Sequence, residues 1–426
     1  MPDVTFRGRR RTVPRPSGGP EEVQVRIPRV LAVVSAALAA VTAALPAGTA
    51  RADSIPPQND AFYQPPNPLP AGRPGDVIRS RTASYPPLLG VSSTQVLYRS
   101  VNATGQAVAV SGTVLVPRTP WLGGGSRPLV SYGVGTRGLG DECAPSYTLS
   151  RGLDYEQAFI NGLLLRGWAV AVTDMEGLGT PGIHTYTVGQ SEGRAVLDMA
   201  RAAERLPSSG LGATTPVGLQ GYSQGGGSVG WAAQLAPTYA PELRIKGVSA
   251  GGVPADLVAV GKFLDGSAGM GLAFLSAVGF DTAYPELKLE NYLNDAGRKL
   301  LADNKDVCLA SVDGVGAIIG TAFRHITDFT TTNPLNSPTW LARFAENKLG
   351  GTKPPMPVFQ AHAAADELVP LAQADTLHRT WCDAGTNLTW RTYPLAEHAL
   401  GLTQAFPDMT AFLNDRFQGR PVTGNC

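Results

Sequence analysis

The sequence predicts an α/β fold in which a mostly parallel sheet, flanked by helices, is interrupted by an inserted helical cap. Three observations support this. Short apolar runs alternate with helix-like segments from residue 129 to 254, which is typical of a parallel sheet covered on both faces. The alternation stops over residues 255–350, where no clear strand occurs. It returns at residue 357 and continues to residue 417.

The individual elements follow from apolar periodicity and turn residues. Two strands joined by a turn at residues 102–105 predict an antiparallel hairpin, and the later elements alternate. The predicted strands cover residues 94–101, 108–116, 129–134, 168–172, 217–220, 245–250, 357–361 and 388–393. The predicted helices cover residues 155–166, 194–206, 225–235, 370–382 and 400–417.

The N-terminal segment has the features of an export signal. Arginines are frequent before residue 30, an apolar run covers residues 30–45, and Ala50-Arg51-Ala52 matches a cleavage site of small residues. The apolar run is too short for a spanning helix, and a membrane anchor is the alternative. We therefore predict a signal peptide over residues 1–52, a secreted protein, and no transmembrane segment in its mature part.

The mature chain is predicted to have three parts. Residues 53–72 are rich in proline and amide side chains and predict an extended lead-in. Residues 73–254 and 351–426 form the predicted α/β core, and residues 255–350 form the cap. With 43% hydrophobic and 16% charged residues, the composition is globular and excludes a disordered or fibrous chain.

Charge and cysteine content narrow the functional classes. Eight arginines and three acidic residues give residues 1–52 a net charge of +5, so the remainder carries −4 of the chain's +1. A mildly acidic exported protein gives no reason to expect nucleic-acid binding. Four cysteines in an exported chain suggest two disulfides, whose pairing the residues alone leave open. No pair has C-x-x-C spacing, so we expect no metal site.

The strongest motif lies at residues 221–225, which read Gly-Tyr-Ser-Gln-Gly between a predicted strand and a predicted helix. This G-x-S-x-G pattern is the strained turn that exposes the nucleophile of an α/β-hydrolase. The positions two residues from the serine must be small to clear the strand and the helix. We predict Ser223 as the nucleophile. A bystander serine in a glycine-rich turn is the alternative in a chain with 50 glycines.

A serine hydroxyl needs a base that removes its proton, and the base needs a third group that orients it. In this fold the acid and then the histidine follow the serine along the chain. His398 lies in the loop after the last predicted strand and is the predicted base. His362 lies at a strand end and His378 within a helix. The alternative for His398 is a polar residue at a helix start.

The predicted acid lies in the loop after the preceding strand. Asp366 is the predicted residue, and the adjacent Glu367 could compete with it. The alternative for Asp366 is the start of a helix. For the oxyanion hole, one donor is expected to be the backbone N–H of Gln224 and the other that of Thr136 or Arg137, in the loop after the third strand.

On these residues the chain resembles the secretory lipase family. The resemblance is carried by residues 221–225, by Cys-Ala-Pro-Ser at residues 143–146, by Asp-Glu-Leu-Val-Pro at residues 366–370, and by the late His398. It extends from the first hairpin to the C-terminus. The segment at residues 143–146 is much more specific than the nucleophile motif, which many hydrolases share.

The resemblance implies an α/β-hydrolase with a helical cap that cleaves carboxylic esters, including acylglycerols, without a cofactor or metal. It also implies the disulfides Cys143–Cys308 and Cys382–Cys426. One departure concerns the oxyanion loop, where a well-known family member has an acidic residue and residues 135–138 here read Gly-Thr-Arg-Gly. A backbone N–H donor tolerates that change of side chain. Which side chain supports the oxyanion hole is not decided by the sequence.

The cap contains a candidate acyl site. Residues 266–280 include Met270 and Phe274 among glycines and alanines, and an acyl chain needs such an apolar groove. The alternative is that these side chains fill the cap's own core, which periodicity does not distinguish.

The predicted function is that of a secreted, monomeric serine ester hydrolase. Its expected substrate is a lipid or another ester, which it would meet at a lipid–water interface. Two alternatives remain. The same three residues could support an acyltransferase or a peptidase. A non-catalytic binding protein could use the hydrolase scaffold, although the chain order of the three residues speaks against it.

Overall fold

The computed structural model describes residues 55–86 and 88–426, so the predicted signal peptide lies outside the described residues. The described chain forms a nine-stranded sheet with the order β1-β2-β3-β5-β4-β6-β7-β8-β9. The strands are β1 (Val77–Ala83), β2 (Val91–Val101), β3 (Ala107–Pro117), β4 (Leu129–Gly133), β5 (Ala169–Thr173), β6 (Val217–Tyr222), β7 (Ile245–Gly251), β8 (Val358–Ala363) and β9 (Leu388–Tyr393).

The sheet is antiparallel at one end and parallel elsewhere. Strands β1, β2, β3 and β5 pair antiparallel, and every pairing from β5 through β4 to β9 is parallel. Strands β2 and β3 form the predicted hairpin. Strand β1 was not predicted, because it lies at the sheet edge and exposes Ser80, Arg81 and Thr82 instead of showing an apolar run.

Twelve α-helices occur in the described residues, and six of them lie between β7 and β8. The six helices outside that interval are α1 (Pro145–Arg151), α2 (Gln157–Leu164), α3 (Gly189–Arg205), α4 (Gln224–Tyr239), α11 (Leu371–Asp383) and α12 (His398–Phe417). The six within it are α5 (Leu257–Leu264), α6 (Met270–Ala283), α7 (Asp295–Asn304), α8 (Val312–Thr321), α9 (Ile326–Phe329) and α10 (Pro338–Glu346).

Both faces of the central strands are buried, which explains their continuous apolar sequence. In β5, Ala169 and Ala171 belong to the apolar cluster that includes α3 and α4. Val170 and Val172 belong to the opposite cluster, together with residues of α2 and α12. A strand covered on both faces needs apolar side chains at successive positions. The predicted mostly parallel sheet flanked by helices is confirmed.

Helices α5–α10 have an apolar core of their own, built largely from aromatic side chains. Phe280 packs against Phe344 with ring centroids 4.6 Å apart, and Trp340 is fully buried beside them. Phe274 belongs to the same cluster. Large aromatic side chains give such a small helical unit much of its buried area.

Two disulfides tie the chain together, with the pairing that the family resemblance implied. Cys143–Cys308 joins the segment before α1 to the segment between α7 and α8. Beside it, the Leu309 N–H donates to the Arg137 carbonyl oxygen at 2.8 Å. Cys382–Cys426 fixes the C-terminal residue to the end of α11. The first disulfide therefore links the inserted helices to the core.

Removing each disulfide by paired Cys→Ser substitutions tests these links. The bonds span sequence separations of 165 and 44 residues. Loop entropy predicts a loss of roughly 2–5 kcal/mol for each, larger by about 1 kcal/mol for Cys143–Cys308. Denaturant unfolding under oxidising conditions measures both losses. A smaller loss for Cys143–Cys308 than for Cys382–Cys426 would contradict the expectation.

Candidate active site

Ser223 occupies a sharp turn between β6 and α4. Its backbone torsions, φ 60° and ψ −125°, are unfavourable for a residue with a side chain. The flanking glycines make the turn possible. A Cβ at Gly221 would overlap the carbonyl oxygen of Gly225, and a Cβ at Gly225 would overlap that of Gly133. The G-x-S-x-G pattern thus reflects a close approach of three backbone segments.

The structure brings Ser223, His398 and Asp366 into one hydrogen-bonded chain. The Nε2 atom of His398 lies 2.8 Å from the Oγ of Ser223. The Nδ1 atom of the same ring lies 2.7 Å from the Oδ2 of Asp366. With Nδ1 protonated, Nε2 offers a lone pair to the serine proton, which is the arrangement of a general base.

Backbone donors separate the two acidic residues of the β8 loop. The Oδ1 of Asp366 accepts the N–H groups of Leu368 at 3.0 Å and Val369 at 2.7 Å, which directs its other oxygen to the imidazole. Glu367 instead accepts the backbone N–H of His398 at 2.9 Å. The structure therefore brings Asp366, not Glu367, to the ring of His398.

The electrostatics of the pair match its geometry. Burial disfavours the charged imidazole, but the Asp366 hydrogen bond and negative charge raise the pKa of His398 above its usual value. Burial likewise disfavours the carboxylate, but His398 and the backbone donors lower the pKa of Asp366. A carboxylate in this position favours the protonated form of the neighbouring imidazole, as an aspartate does in a serine hydrolase.

The two other candidate histidines do not reach Ser223. His362 is fully buried, its Nε2 lies 2.9 Å from the carbonyl oxygen of Val369, and burial lowers its pKa. It packs behind Asp366 as a neutral side chain, with Nε2 at 3.6 Å from the Oδ2 atom. His378 lies in α11 and stacks on Trp390, with ring centroids 4.9 Å apart.

The loop after β4 lies close to the Ser223 turn and offers backbone donors. The N–H of Gly135 is taken by the Oε1 of Glu156 at 2.8 Å. Among the described residues, no hydrogen bond uses the N–H of Gln224, Thr136 or Arg137. These are the three N–H groups that the sequence predicted for the oxyanion hole, and they stay available.

The side chain of Arg137 is buried within the protein and makes contacts that support the loop. Its guanidinium is buried, forms ion pairs with Asp154 at 2.9 Å and Glu156 at 3.3 Å, and lies 3.9 Å from the ring centroid of Tyr155. Tyr155 also donates to the carbonyl oxygen of Thr136 at 2.7 Å. This buried group supports the loop. The sequence had left open which side chain would do so in place of the acidic residue of the family member.

A pocket of about 970 Å³, including its opening to solvent, extends from Ser223 into helices α5–α10. Met270 and Phe274, the two predicted substrate contacts, both line it. The remaining wall is mostly apolar, with Leu257, Val260, Leu264, Ala273, Ala277, Leu293, Phe329 and Leu368, and it includes the polar Thr187, Ser276, Thr330 and Asn333. Phe274 therefore contributes both to the core of the inserted helices and to the pocket wall.

Sequence reasoning missed a buried polar group beneath the nucleophile turn. Glu192 of α3 is 2% exposed and accepts the side-chain amide of Gln224 at 2.7 Å. A signal existed, because Glu192 occupies a position at helical spacing from the buried Val188, Val196 and Met199, where an apolar residue is expected. A carboxylate on a buried helix stripe indicates a hydrogen-bonded network.

In residues 55–86 and 88–426, no group of three His, Cys, Asp or Glu side chains is arranged as a metal site. Within the same residues, no helix is both long and apolar enough to cross a membrane. The class of protein defined by the sheet order, the strained serine turn and the following Asp366 and His398 is the α/β-hydrolase.

Comparison with known proteins narrows this class. The secretory lipase family model matches residues 144–425. A probable inactive lipase from Mycobacterium tuberculosis is 33% identical over 388 residues, covering 86% of this chain and 84% of that protein. A secreted triacylglycerol lipase from Malassezia globosa is 31% identical, covering 86% of this chain and 81% of that protein. The chain belongs to the secretory lipase family and is a carboxylic ester hydrolase.

Solved structures agree with the family assignment. Candida antarctica lipase A in its closed state has a TM-score of 0.77 and 28% identity, covering 87% of this chain and 89% of that one. A rice cell wall degrading esterase from Xanthomonas oryzae has a TM-score of 0.65 at 19% identity, covering 82% and 98% of the two chains. The second likeness concerns the fold alone.

Asp366→Asn tests the electrostatic role of the acid. We expect kcat to fall by about 10⁴-fold at neutral pH, because an amide does not stabilise the imidazolium. His398 must be neutral to accept a proton, so activity falls as the pH drops through its pKa. Without the carboxylate that pKa decreases, and the acidic limb of kcat/KM moves to lower pH. Glu367→Gln is the matched control and keeps most activity; the reverse result would make Glu367 the acid.

Proposed function

We propose that this chain is a secreted serine lipase that hydrolyses acylglycerols through an acyl-enzyme. The observation that carries the proposal is the hydrogen-bonded chain from Asp366 through His398 to Ser223, which ends at the mouth of an apolar pocket. A nucleophile, its base and an apolar site for an acyl group are the three elements that ester hydrolysis of a lipid needs.

The reaction follows from the geometry. His398 accepts the Ser223 proton at Nε2 while Oγ attacks the ester carbonyl carbon. The tetrahedral intermediate collapses, and the imidazolium returns the proton to the leaving alcohol. Water then attacks the acyl-enzyme with His398 again as base, which releases the fatty acid and restores the serine. Asp366 holds the ring in the required tautomer throughout.

The negative charge of the tetrahedral oxygen requires donors that are already in place. Gln224 is the first residue of helix α4, so the helix dipole adds to the donor strength of its free N–H. The second donor is the N–H of Thr136, whose side chain and carbonyl oxygen are held by Tyr186 and Tyr155 respectively. Arg137 contributes through its buried side chain and is the alternative donor.

The name of the Mycobacterium tuberculosis relative raises the question of whether this chain is active. A loss of activity usually accompanies the loss of one member of the hydrogen-bonded group. Here Ser223, Asp366 and His398 are all present, and both connecting distances are those of hydrogen bonds. The geometry supports an active enzyme over a non-catalytic binding protein.

Export is supported by independent features. The basic and apolar character of residues 1–52 is that of a signal peptide. The two disulfides favour an oxidising compartment. Curated relatives from Malassezia species are named secreted lipases.

Hydrolysis of a p-nitrophenyl ester series, from acetyl to palmitoyl, tests the function. The mature protein is expected to cleave these esters, and Ser223→Ala to lose about 10⁶-fold in kcat. Assays with a peptide and with a competing alcohol run in parallel. Faster peptide cleavage, or acyl transfer that outruns hydrolysis, would replace the lipase assignment with one of its alternatives on the same three residues.

The pocket wall predicts chain-length selectivity. Ala273 lies between the wall positions Met270 and Phe274 and also lines the pocket. Ala273→Trp is expected to lower kcat/KM for the palmitoyl ester by about 10–200-fold, since the ring displaces several methylenes, and to spare the acetyl ester. Ala345→Trp, at an exposed position of α10, is the control. Equal losses on both esters would mean that the acyl chain lies elsewhere.

An apolar surface on α8, a helix that packs against the pocket-wall helix α6, supports action at a lipid–water interface. Val312 and Ile319 of α8 are 89% and 57% exposed, and Phe323, which follows the helix, is 54% exposed. Asp313 is the single charged residue in α8. Exposed apolar side chains clustered on one helix mark an interaction surface, and a lipid surface matches the chemistry of the adjoining pocket.

Ile319→Asp tests this surface. The charge is expected to lower activity on emulsified triacylglycerol by about tenfold, since a buried charge at an interface costs more than 1 kcal/mol. Activity on soluble p-nitrophenyl acetate is expected to stay unchanged. Leu122→Asp is the matched control, because Leu122 is 94% exposed and lies in the α/β part of the chain, outside helices α5–α10. Equal activity of both variants on emulsion would exclude α8 from the contact.

A further inference from the structure

Glu192 is a buried carboxylate without a cationic partner. All three of its hydrogen bonds come from neutral donors: the Thr187 N–H at 2.8 Å, the Gln224 side-chain amide at 2.7 Å and the Ser228 hydroxyl at 2.7 Å. None of the salt bridges formed by residues 55–86 and 88–426 includes it. Burial raises its pKa to about 7. Such a group is costly to bury, so its contacts need a reason.

The first contact fixes the residue after the nucleophile. The Nε2 atom of Gln224 is shared between the Oε1 of Glu192 and the Nε2 of His184, which lies 2.8 Å away. The Nδ1–H of His184 donates to the carbonyl oxygen of Glu176 at 2.8 Å, so its Nε2 is an acceptor. Burial lowers the pKa of His184 to about 4, which keeps that ring neutral. Both N–H groups of the Gln224 amide are therefore held.

The second contact fixes a segment that reaches the oxyanion loop. Glu192 accepts the N–H of Thr187, whose positive φ of 62° is unfavourable for a β-branched residue. The preceding residue, Tyr186, places its hydroxyl 2.8 Å from the Oγ1 of Thr136. The hydroxyl of Thr187 lies 2.6 Å from that of Ser276 in α6, a helix of the pocket wall.

We propose that Glu192 is a positioning residue for the oxyanion hole, one that fixes Gln224 and the 186–187 segment, and through it Thr136, relative to each other. The Oε1 atom of Glu192 accepts from both the Thr187 N–H and the Gln224 amide. A single atom therefore sets the distance between the 186–187 segment and Gln224. This inference rests on the proposed serine hydrolase function. Donors aimed at a developing charge act through their placement, and a shift of about 1 Å can cost 10²-fold in rate.

The proposal assigns the effect to geometry and not to charge, and two substitutions distinguish them. In Glu192→Gln the side-chain carbonyl oxygen accepts from Thr187 and Gln224, and the new amide donates to the Ser228 hydroxyl. All three contacts survive, so kcat is expected to stay at the wild-type value. In Glu192→Leu a shorter apolar side chain replaces the carboxylate and every acceptor is lost, so kcat is expected to fall by roughly 10²-fold.

The readouts separate a positioning role from a purely structural one. We expect KM of a soluble ester to stay unchanged in Glu192→Leu while kcat falls. A trifluoromethyl ketone, whose hemiketal oxygen occupies the oxyanion hole, is expected to bind about 10²-fold more weakly. A fatty alcohol, which fills only the apolar pocket, is expected to inhibit equally well. Equal affinity of the ketone for wild type and Glu192→Leu would overturn the proposal.

Two further variants guard against misfolding. Tyr186→Phe keeps the packed ring and removes only the hydroxyl that contacts Thr136, and we expect a loss of kcat and of ketone affinity in the same proportion. Ser228→Ala removes the third contact of Glu192 and the contact of the same hydroxyl with the Gln224 carbonyl oxygen at 2.8 Å. Neither contact involves a backbone N–H of the oxyanion hole, so the variant is expected to lower the melting temperature without changing kcat. Unchanged kinetics in Tyr186→Phe together with a misfolded Glu192→Leu would also reject the proposal.

The same assays distinguish the two levels of inference. Wild type that cleaves no ester and binds no ketone would reject the proposed hydrolase function itself. Active wild type with an equally active, folded Glu192→Leu would reject only the positioning role. A loss in Glu192→Gln as large as in Glu192→Leu would show that charge, not geometry, is the essential property.

Discussion

The turn at Ser223 is the constraint on which the rest of the structure depends. Its backbone torsions are unfavourable, so the surrounding elements must hold it: β6 ends at Tyr222, α4 begins at Gln224, and the Ser223 N–H donates to the Gly251 carbonyl oxygen at 3.0 Å. Gly225 lies against the backbone at the end of β4, which brings the loop proposed to form the oxyanion hole close to the serine. Close backbone packing thus positions both the proposed nucleophile and its proposed donors.

The parallel sheet explains why distant residues meet at this turn. The carboxyl ends of β6, β8 and β9 lie at one edge of the sheet, and the proposed nucleophile, acid and base follow those strands in that order. Helices α5–α10 enter the chain between β7 and β8, also at that edge. They therefore cover the site and supply its apolar wall without disturbing the strands that carry the reactive groups.

The elements of the fold that the sequence predicted correctly are those with a local signal, such as the central strands, which read as apolar runs. Ser223, Asp366 and His398 were predicted from the motif and the chain order, and the structure brings these three side chains together. Strand β1 was missed because it is a polar edge strand, and α1 because proline and a short length conceal its periodicity. The pocket shared by Phe274 and Ser223 depends on how two sequence segments pack, which no local pattern encodes.

Glu192 illustrates what a buried carboxylate offers that an apolar side chain does not. Three donors point into the space between α3, α4 and the 184–187 segment, and each would be costly to leave unpaired. A carboxylate satisfies all three from two oxygens, whereas a hydroxyl or an apolar group leaves at least one unpaired. The three hydrogen bonds offset the cost of burying the acid, and one of them holds the N–H of Thr187, whose backbone torsion is unfavourable. The hydrogen bonds that satisfy the buried donors therefore also hold the strained backbone in place.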